Sequence, residues 1–225
     1  MIRKIFNFIK KITIWFFAIS IFWVILLRFV PVPFTPLMVF RFFENTFSDK
    51  EVYFGHDWEP IENISPNLQK AVIASEDALF LEHHGFDFKA IKIALKKNKK
   101  GKKLRGGSTI SQQTAKNVFL WQGRSWIRKG FEAYFTVLIE IFWSKERIME
   151  VYLNSIEMGD GVYGAQAASR HWYSKDASEL DKRQAAGIAA ILPNPRKFAA
   201  SNSSSYINRK KNRIVAGMRA VKLDY

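Results

Sequence analysis

From Ile12 to Val30 the chain reads ITIWFFAISIFWVILLRFV, nineteen residues whose one charge, Arg28, lies near the end. At about 1.5 Å per residue such a helix spans roughly 28 Å, close to the thickness of a hydrocarbon core. The helix of a soluble core carries an apolar stripe, whereas this segment is apolar on every side. A cleaved export signal is shorter and ends in small residues, but here Arg28-Phe-Val-Pro follows. The segment therefore predicts one N-terminal transmembrane helix, stopped by Pro31 and Pro33, with Arg28 snorkelling at its edge. Arg3, Lys4, Lys10 and Lys11 precede the span and assign the N-terminus to the cytoplasm. The rest of the chain is then expected outside it.

Charge narrows the partners. The 225 residues hold 35 Lys and Arg against 20 Asp and Glu, a net of +15. Three windows contain no acid at all: 1–11 with four cations, 89–105 with nine, and 196–222 with eight. The remainder is mildly acidic. Basic patches attract nucleic acid, anionic lipid or phosphate. An extracytoplasmic domain removes nucleic acid and leaves membrane lipids, phosphates and glycans. The 196–222 window reads equally well as a solvated face. Zero cysteine excludes disulfides, thiolate zinc sites, iron–sulfur clusters and thiol nucleophiles.

The predicted organisation is a basic tail over 1–11, the span over 12–30, a juxtamembrane segment over 31–50 and a catalytic domain over 51–225. Residues 34–47 are apolar but too short to span, and are read as an interfacial segment, with a core element as the alternative. The domain reads as mainly α. Ser65-Pro66 opens a helix leading to Glu76, and Ser108 caps one running to about Leu120. Ser125 opens a third, with a stripe of Ile127, Phe131, Phe135, Leu138 and Phe142. Ser144 opens a fourth, Ser178 precedes a run from Leu180 to Leu192, and Ile207, Ile214, Met218 and Val221 mark a last one. Alternating strand patterns are nearly absent.

Four polar clusters interrupt these apolar helices. The first runs from Glu76-Asp77 through Phe80, His83, His84 and Gly85 to Asp87. Its acids fit an ordinary solvated helix end, and its adjacent histidines lack the spacing of a zinc site. The second is Gly106-Gly107-Ser108-Thr109-Ile110-Ser111-Gln112-Gln113, followed by Lys116 and Asn117. Amides at a glycine-led helix start bind anions, and Lys116 adds a point charge. The third sets Arg124, Arg128 and Glu132 along one helical line, a pattern an intrahelical ion pair also explains. The fourth holds Lys145, Glu150, Tyr152 and Asn154 on what spacing alone makes a plain amphipathic helix.

In this order the clusters resemble the glycosyltransferase domain of peptidoglycan polymerases. The matches lie at Glu76–Asp87, Gly106–Asn117, Arg128–Glu132, Lys145–Asn154 and Gln184–Pro195, with Ser111 standing where the family usually has Thr. The penicillin-binding signatures S-x-x-K, S-D-N and K-T-G are absent, so the resemblance is to the monofunctional form. It implies a lysozyme-like, mainly α fold and an inverting polymerisation of lipid II into β-1,4-linked glycan, releasing undecaprenyl pyrophosphate. Glu76 takes the position of the family's general base and Glu132 that of its second carboxylate. Ser108, Thr109, Gln112, Gln113, Lys116, Asn117, Arg124 and Arg128 fall at substrate- or diphosphate-binding positions. Asp77, Phe80, His83, Gly85, Lys145, Glu150, Tyr152 and Asn154 complete the supporting motifs. No organic cofactor is implied. Glu132 either orients the cations or helps hold a divalent metal, Mg2+ or Mn2+. The implied partners are lipid II, the growing strand, membrane lipids and other cell-wall synthesis or division proteins, at a bacterial inner membrane with the domain in the periplasm. The lysine-rich 89–105 run, between base and phosphate motif, is expected to act as a mobile flap that meets anionic headgroups or the diphosphate. Two other readings fit parts of the pattern: a lytic transglycosylase or muramidase of similar fold, and a non-catalytic, membrane-tethered basic scaffold.

Overall fold

The computed structural model describes residues 2–46, 54–92, 107–123 and 125–225. Arg124, Gly106 and the lysines of 93–105 lie outside the described residues.

Helix α1 runs over Ile2–Leu26, so the helix begins at the basic tail and ends before the prolines, four residues short of Val30. It is long and apolar enough to cross a membrane. Ser20, Val24 and Leu27 turn inward against the domain, while Trp15, Phe22 and Trp23 stay exposed. Helix α2 (Pro36–Thr46) forms within the juxtamembrane segment. Its Leu37 and Met38 pack on buried Tyr163, and its Val39, Phe40, Phe42 and Phe43 remain on the surface.

The domain is built from α3 (Pro66–Glu76), α4 (Ile110–Phe119), α5 (Trp126–Phe142), α6 (Lys145–Ser155), α7 (Ala165–Tyr173), α8 (Lys182–Ile191) and α9 (Ser205–Gly217). Helix α4 packs against α5 and α6, while α3, α8 and α9 form the other side. Leu68 and Val72 of α3, Ile110 of α4, Ile139 of α5, Ile148 of α6 and Ile188 of α8 join in one buried core. Burying such side chains contributes on the order of 1.5–3 kcal/mol each.

Three details depart from the sequence expectation. Thr109, not Ser108, caps α4, and Asp181, three residues beyond Ser178, caps α8 through its bonds to the Arg183 and Gln184 amides. The stripe of α5 is rotated: Ile127 is 72% exposed, and the buried side carries Glu132, Phe135, Thr136, Leu138 and Ile139. A small sheet also exists, with β3 (Val162–Tyr163) between β1 (Gly55–His56), parallel to it, and β2 (Glu157–Gly159), antiparallel. Strands of two or three residues are too short to display a period of two.

Candidate active site

Glu76 is the last residue of α3, and the helix end faces the start of α4. Asp77 makes that junction. Its Oδ2 accepts the Ile110 backbone N–H at 2.9 Å, and His83 Nε2 donates to Oδ1 and Oδ2 at 2.9 and 3.0 Å. Thr109 then forms a capping box with Gln112 and donates its hydroxyl to the Gly85 carbonyl at 2.7 Å. Gly85 has φ +84°, and a Cβ there would lie 2.8 Å from Thr136 Cγ2, so this position takes glycine.

These bonds revise the anion-binding reading of the α4 start. The Ile110 and Gln112 amides are already taken by Asp77 and Thr109, so these two N–H groups are not open to an anion. Thr109 and Gln112 are bound up in the cap and brace the fold. Gln113 is different. Its Nε2 donates to Glu76 Oε2 at 3.2 Å, and its Oε1 accepts from the buried Tyr152 hydroxyl at 3.4 Å. Burial, with the Glu76 and Asp77 charges behind it, holds the Tyr152 phenol well above its ordinary pKa, so it stays a neutral donor. A buried donor thus fixes the amide that fixes the carboxylate.

A cavity of about 260 Å³ opens beside Glu76, lined also by Ser75, Asp87, Gly107, Ser108 and Thr109. Lys129 Nζ reaches Ser108 Oγ at 3.5 Å and pairs with Glu132, while Arg128 Nη1 lies 3.7 Å from Glu132 Oε2. Glu132 is 3% exposed. Burial pushes the Lys116 ammonium below the usual lysine range, opposed by Glu132, while Arg128 and Lys129 add to the lowering. Both Glu132 and Glu76 act electrostatically on Lys116. The cluster therefore carries Lys116, Arg128 and Lys129 around one buried carboxylate, a net positive charge next to a cavity walled by Glu76.

The remaining residues divide. Asn117 is buried on α4, and Phe80 lies under the Lys145 ammonium, 4.7 Å from its ring centroid. Lys145 also donates to the His83 carbonyl and to Glu140, which holds Ser111 as well. Asn154 pins the 56–59 segment through both the amide and carbonyl of Glu59, away from the cavity. Glu150 pairs with Arg147 at 2.6 Å. Lys129 and Glu140 were missed by the sequence reading. Lys129 had a signal, since it lies three residues before Glu132 on the same helix.

A transglycosylase family model matches residues 45–219. The chain belongs to the transglycosylase family. Proteins named biosynthetic peptidoglycan transglycosylase are similar over most of its length. The one from Bacteroides thetaiotaomicron is 53% identical, covering 98% of this chain and 89% of that protein. For Bdellovibrio bacteriovorus the figures are 53%, 93% and 84%, and for Pseudomonas syringae pv. syringae 52%, 97% and 93%. Transglycosylase domains are lysozyme-like, in keeping with the helical frame around Glu76.

Proposed function

We propose that this transglycosylase builds peptidoglycan by polymerising lipid II, with Glu76 as base and a cation cluster for the departing diphosphate. As its relatives are, it is a glycosyltransferase of cell-wall synthesis. The observation that carries the mechanism is a cavity lined by Glu76 and Ser108, with the Lys129 ammonium reaching Ser108 and standing beside Lys116 and Arg128 around Glu132.

The 4-hydroxyl of the acceptor sugar gives its proton to Glu76 as its oxygen bonds to the donor's anomeric carbon. The bond from that carbon to the diphosphate oxygen breaks on the opposite face, which inverts the centre. The leaving diphosphate gathers charge that Lys116, Arg128 and Lys129 stabilise. Gln113, braced by Tyr152, orients Glu76. Glu132 serves as the buried internal counter-ion that holds those cations close. A divalent metal does not fit Glu132, because Arg128 and Lys129 already occupy its two oxygens. No step is therefore assigned to one. A muramidase of similar fold has no diphosphate to stabilise, so the cluster favours synthesis.

The four cations ahead of the apolar stretch of α1 support a cytoplasmic N-terminus and a periplasmic domain at an inner membrane. Phe16, Phe17 and Ser20 of α1 contact Phe131 and Tyr134 of α5. Ser20 lies six residues before the helix end at Leu26, roughly 9 Å deeper along the helix. That depth supports a domain sunk into the outer leaflet, bringing the cavity to the level of the lipid headgroups.

Incubating the wild type with lipid II should yield glycan strands, and Glu76→Gln should lower turnover by about 10²–10⁴-fold. Fragments released from finished peptidoglycan, with no strand growth, would overturn the reading.

A further inference from the structure

Only one face of the fourth motif is used by the chemistry. On α6, Lys145 and Tyr152 are seven residues apart and share a face. That face serves the cavity: Lys145 bonds the His83 carbonyl and Glu140, and Tyr152 holds Gln113. Arg147 and Glu150, three apart, share another face. There the Arg147 guanidinium donates to the Leu27 carbonyl from Nη2 (2.8 Å) and Nε (3.3 Å), and to the Val30 carbonyl. These carbonyls belong to the turn that ends the membrane helix, where no intrahelical partner remains. Glu150 fixes the guanidinium at 2.6 Å, and the Trp58 ring lies 5.2 Å from it. Just ahead of α6, the Trp143 indole N–H donates to the Val24 carbonyl at 2.7 Å. Further down, Ser20 and Tyr134 hydroxyls bond at 2.7 Å. The membrane helix is thus bonded to the domain at three levels.

We propose that Arg147 is a positioning residue: by capping the membrane helix from α6, it fixes the pitch of the anchor relative to the catalytic cavity. The inference rests on the lipid II reading above. Its consequence is particular to a membrane substrate. The diphosphate of such a lipid lies at a set height, so the cavity must be held at that height and tilt. A loose anchor would let the domain rock, and fewer encounters would be productive. Once seated, the substrate would meet unchanged chemistry, because Arg147 touches none of the cavity lining.

The test uses the full chain in vesicles containing lipid II, with Arg147→Ala, Arg147→Lys and Trp143→Phe. For Arg147→Ala the apparent KM is expected to rise roughly tenfold or more while kcat stays within about twofold. Arg147→Lys, which keeps one cationic donor, should fall between. Trp143→Phe removes a single bond to Val24 and should shift KM in the same direction, which keeps the idea testable if Arg147→Ala does not fold. The chain has no cysteine, so spin labels on Ile9→Cys and Asn212→Cys report the anchor alone. One narrow distance distribution is expected in the parent and a broad one in Arg147→Ala. A short thiol-reactive linker across Ser20→Cys and Tyr134→Cys should restore the KM of Arg147→Ala. An unchanged distance distribution, a fall in kcat at constant KM, or failure of the linker to restore KM would overturn the proposal. Glu76→Gln, run alongside, separates the two ideas: if it stays active the lipid II mechanism falls, while the spin-label distances still judge the anchor.

Discussion

Asp77 and Glu76 are neighbours with opposite duties. Both line the cavity, but Asp77 is buried and accepts from His83 and from the Ile110 amide, whereas Glu76 is held by Gln113. Asp77→Asn turns an acceptor oxygen into a donor facing donors. Bonds to a charged group contribute about 1.5–3 kcal/mol each, so this variant should melt several degrees lower and lose turnover together. Glu76→Gln should lose turnover with its melting temperature kept, and calorimetry beside the lipid II assay separates the two. Lys116 supplies a pH test. Its pKa is lowered by burial, so its cation is lost on the alkaline side before an ordinary lysine would deprotonate. Activity should decline there, and Lys116→Arg, which stays protonated, should move that alkaline limb upward if turnover is retained. For stability the sign is the reverse: the burial penalty on the charged form is present in full below the folded pKa and is relieved as pH rises through it toward the unfolded value.

At the scale of elements, the site is a clamp in which α3 ends, α4 begins and the turn at Gly85 joins them to α5. Gly85→Ala forces a Cβ to 2.8 Å from Thr136 at a backbone angle that L side chains rarely adopt. It should cost about 1–3 kcal/mol and bring a matching fall in denaturation midpoint. Much of this clamp was legible in the residue order, because caps and motifs are local: Ser65, Ser125 and Ser144 each accept from the amide that a cap predicts. What was not legible depends on distant partners. Asp77 reaches Ile110 across 33 residues, and this bond closes the α4 start that glycine spacing suggested was open. Ile127 sits in a regular apolar stripe, yet the buried side of α5 is set by Glu132 and Thr136, whose cost of burial is met by Lys129, Arg128 and a helix carbonyl. Hydrophobic periodicity weighs such polar residues as surface. Asn154, which the motif grouped with the site, turns instead to Glu59.

For the whole molecule, the proposed anchor, the exposed apolar face and the cations suit one placement against a bilayer. Trp126 and Ile127, at the start of the helix that carries Arg128 and Glu132, are 92% and 72% exposed. Trp121, Phe34, Phe40 and Phe43 add further exposed apolar surface around α2 and the end of α4. Large exposed side chains gathered in this way mark a surface that is covered in use, and acyl chain and headgroup are the cover expected from the proposed lipid substrate. Trp126 makes this measurable. In vesicles with brominated acyl chains, part of the tryptophan emission should be quenched, and Trp126→Phe should remove a share of that quenching. Trp126→Glu with Ile127→Glu should lower turnover of vesicle-borne lipid II without lowering the melting temperature, because neither side chain is packed. Equal quenching in the parent and in Trp126→Phe would mean that this end of α5 stays in water, and the domain would then sit on the membrane instead of in its outer leaflet.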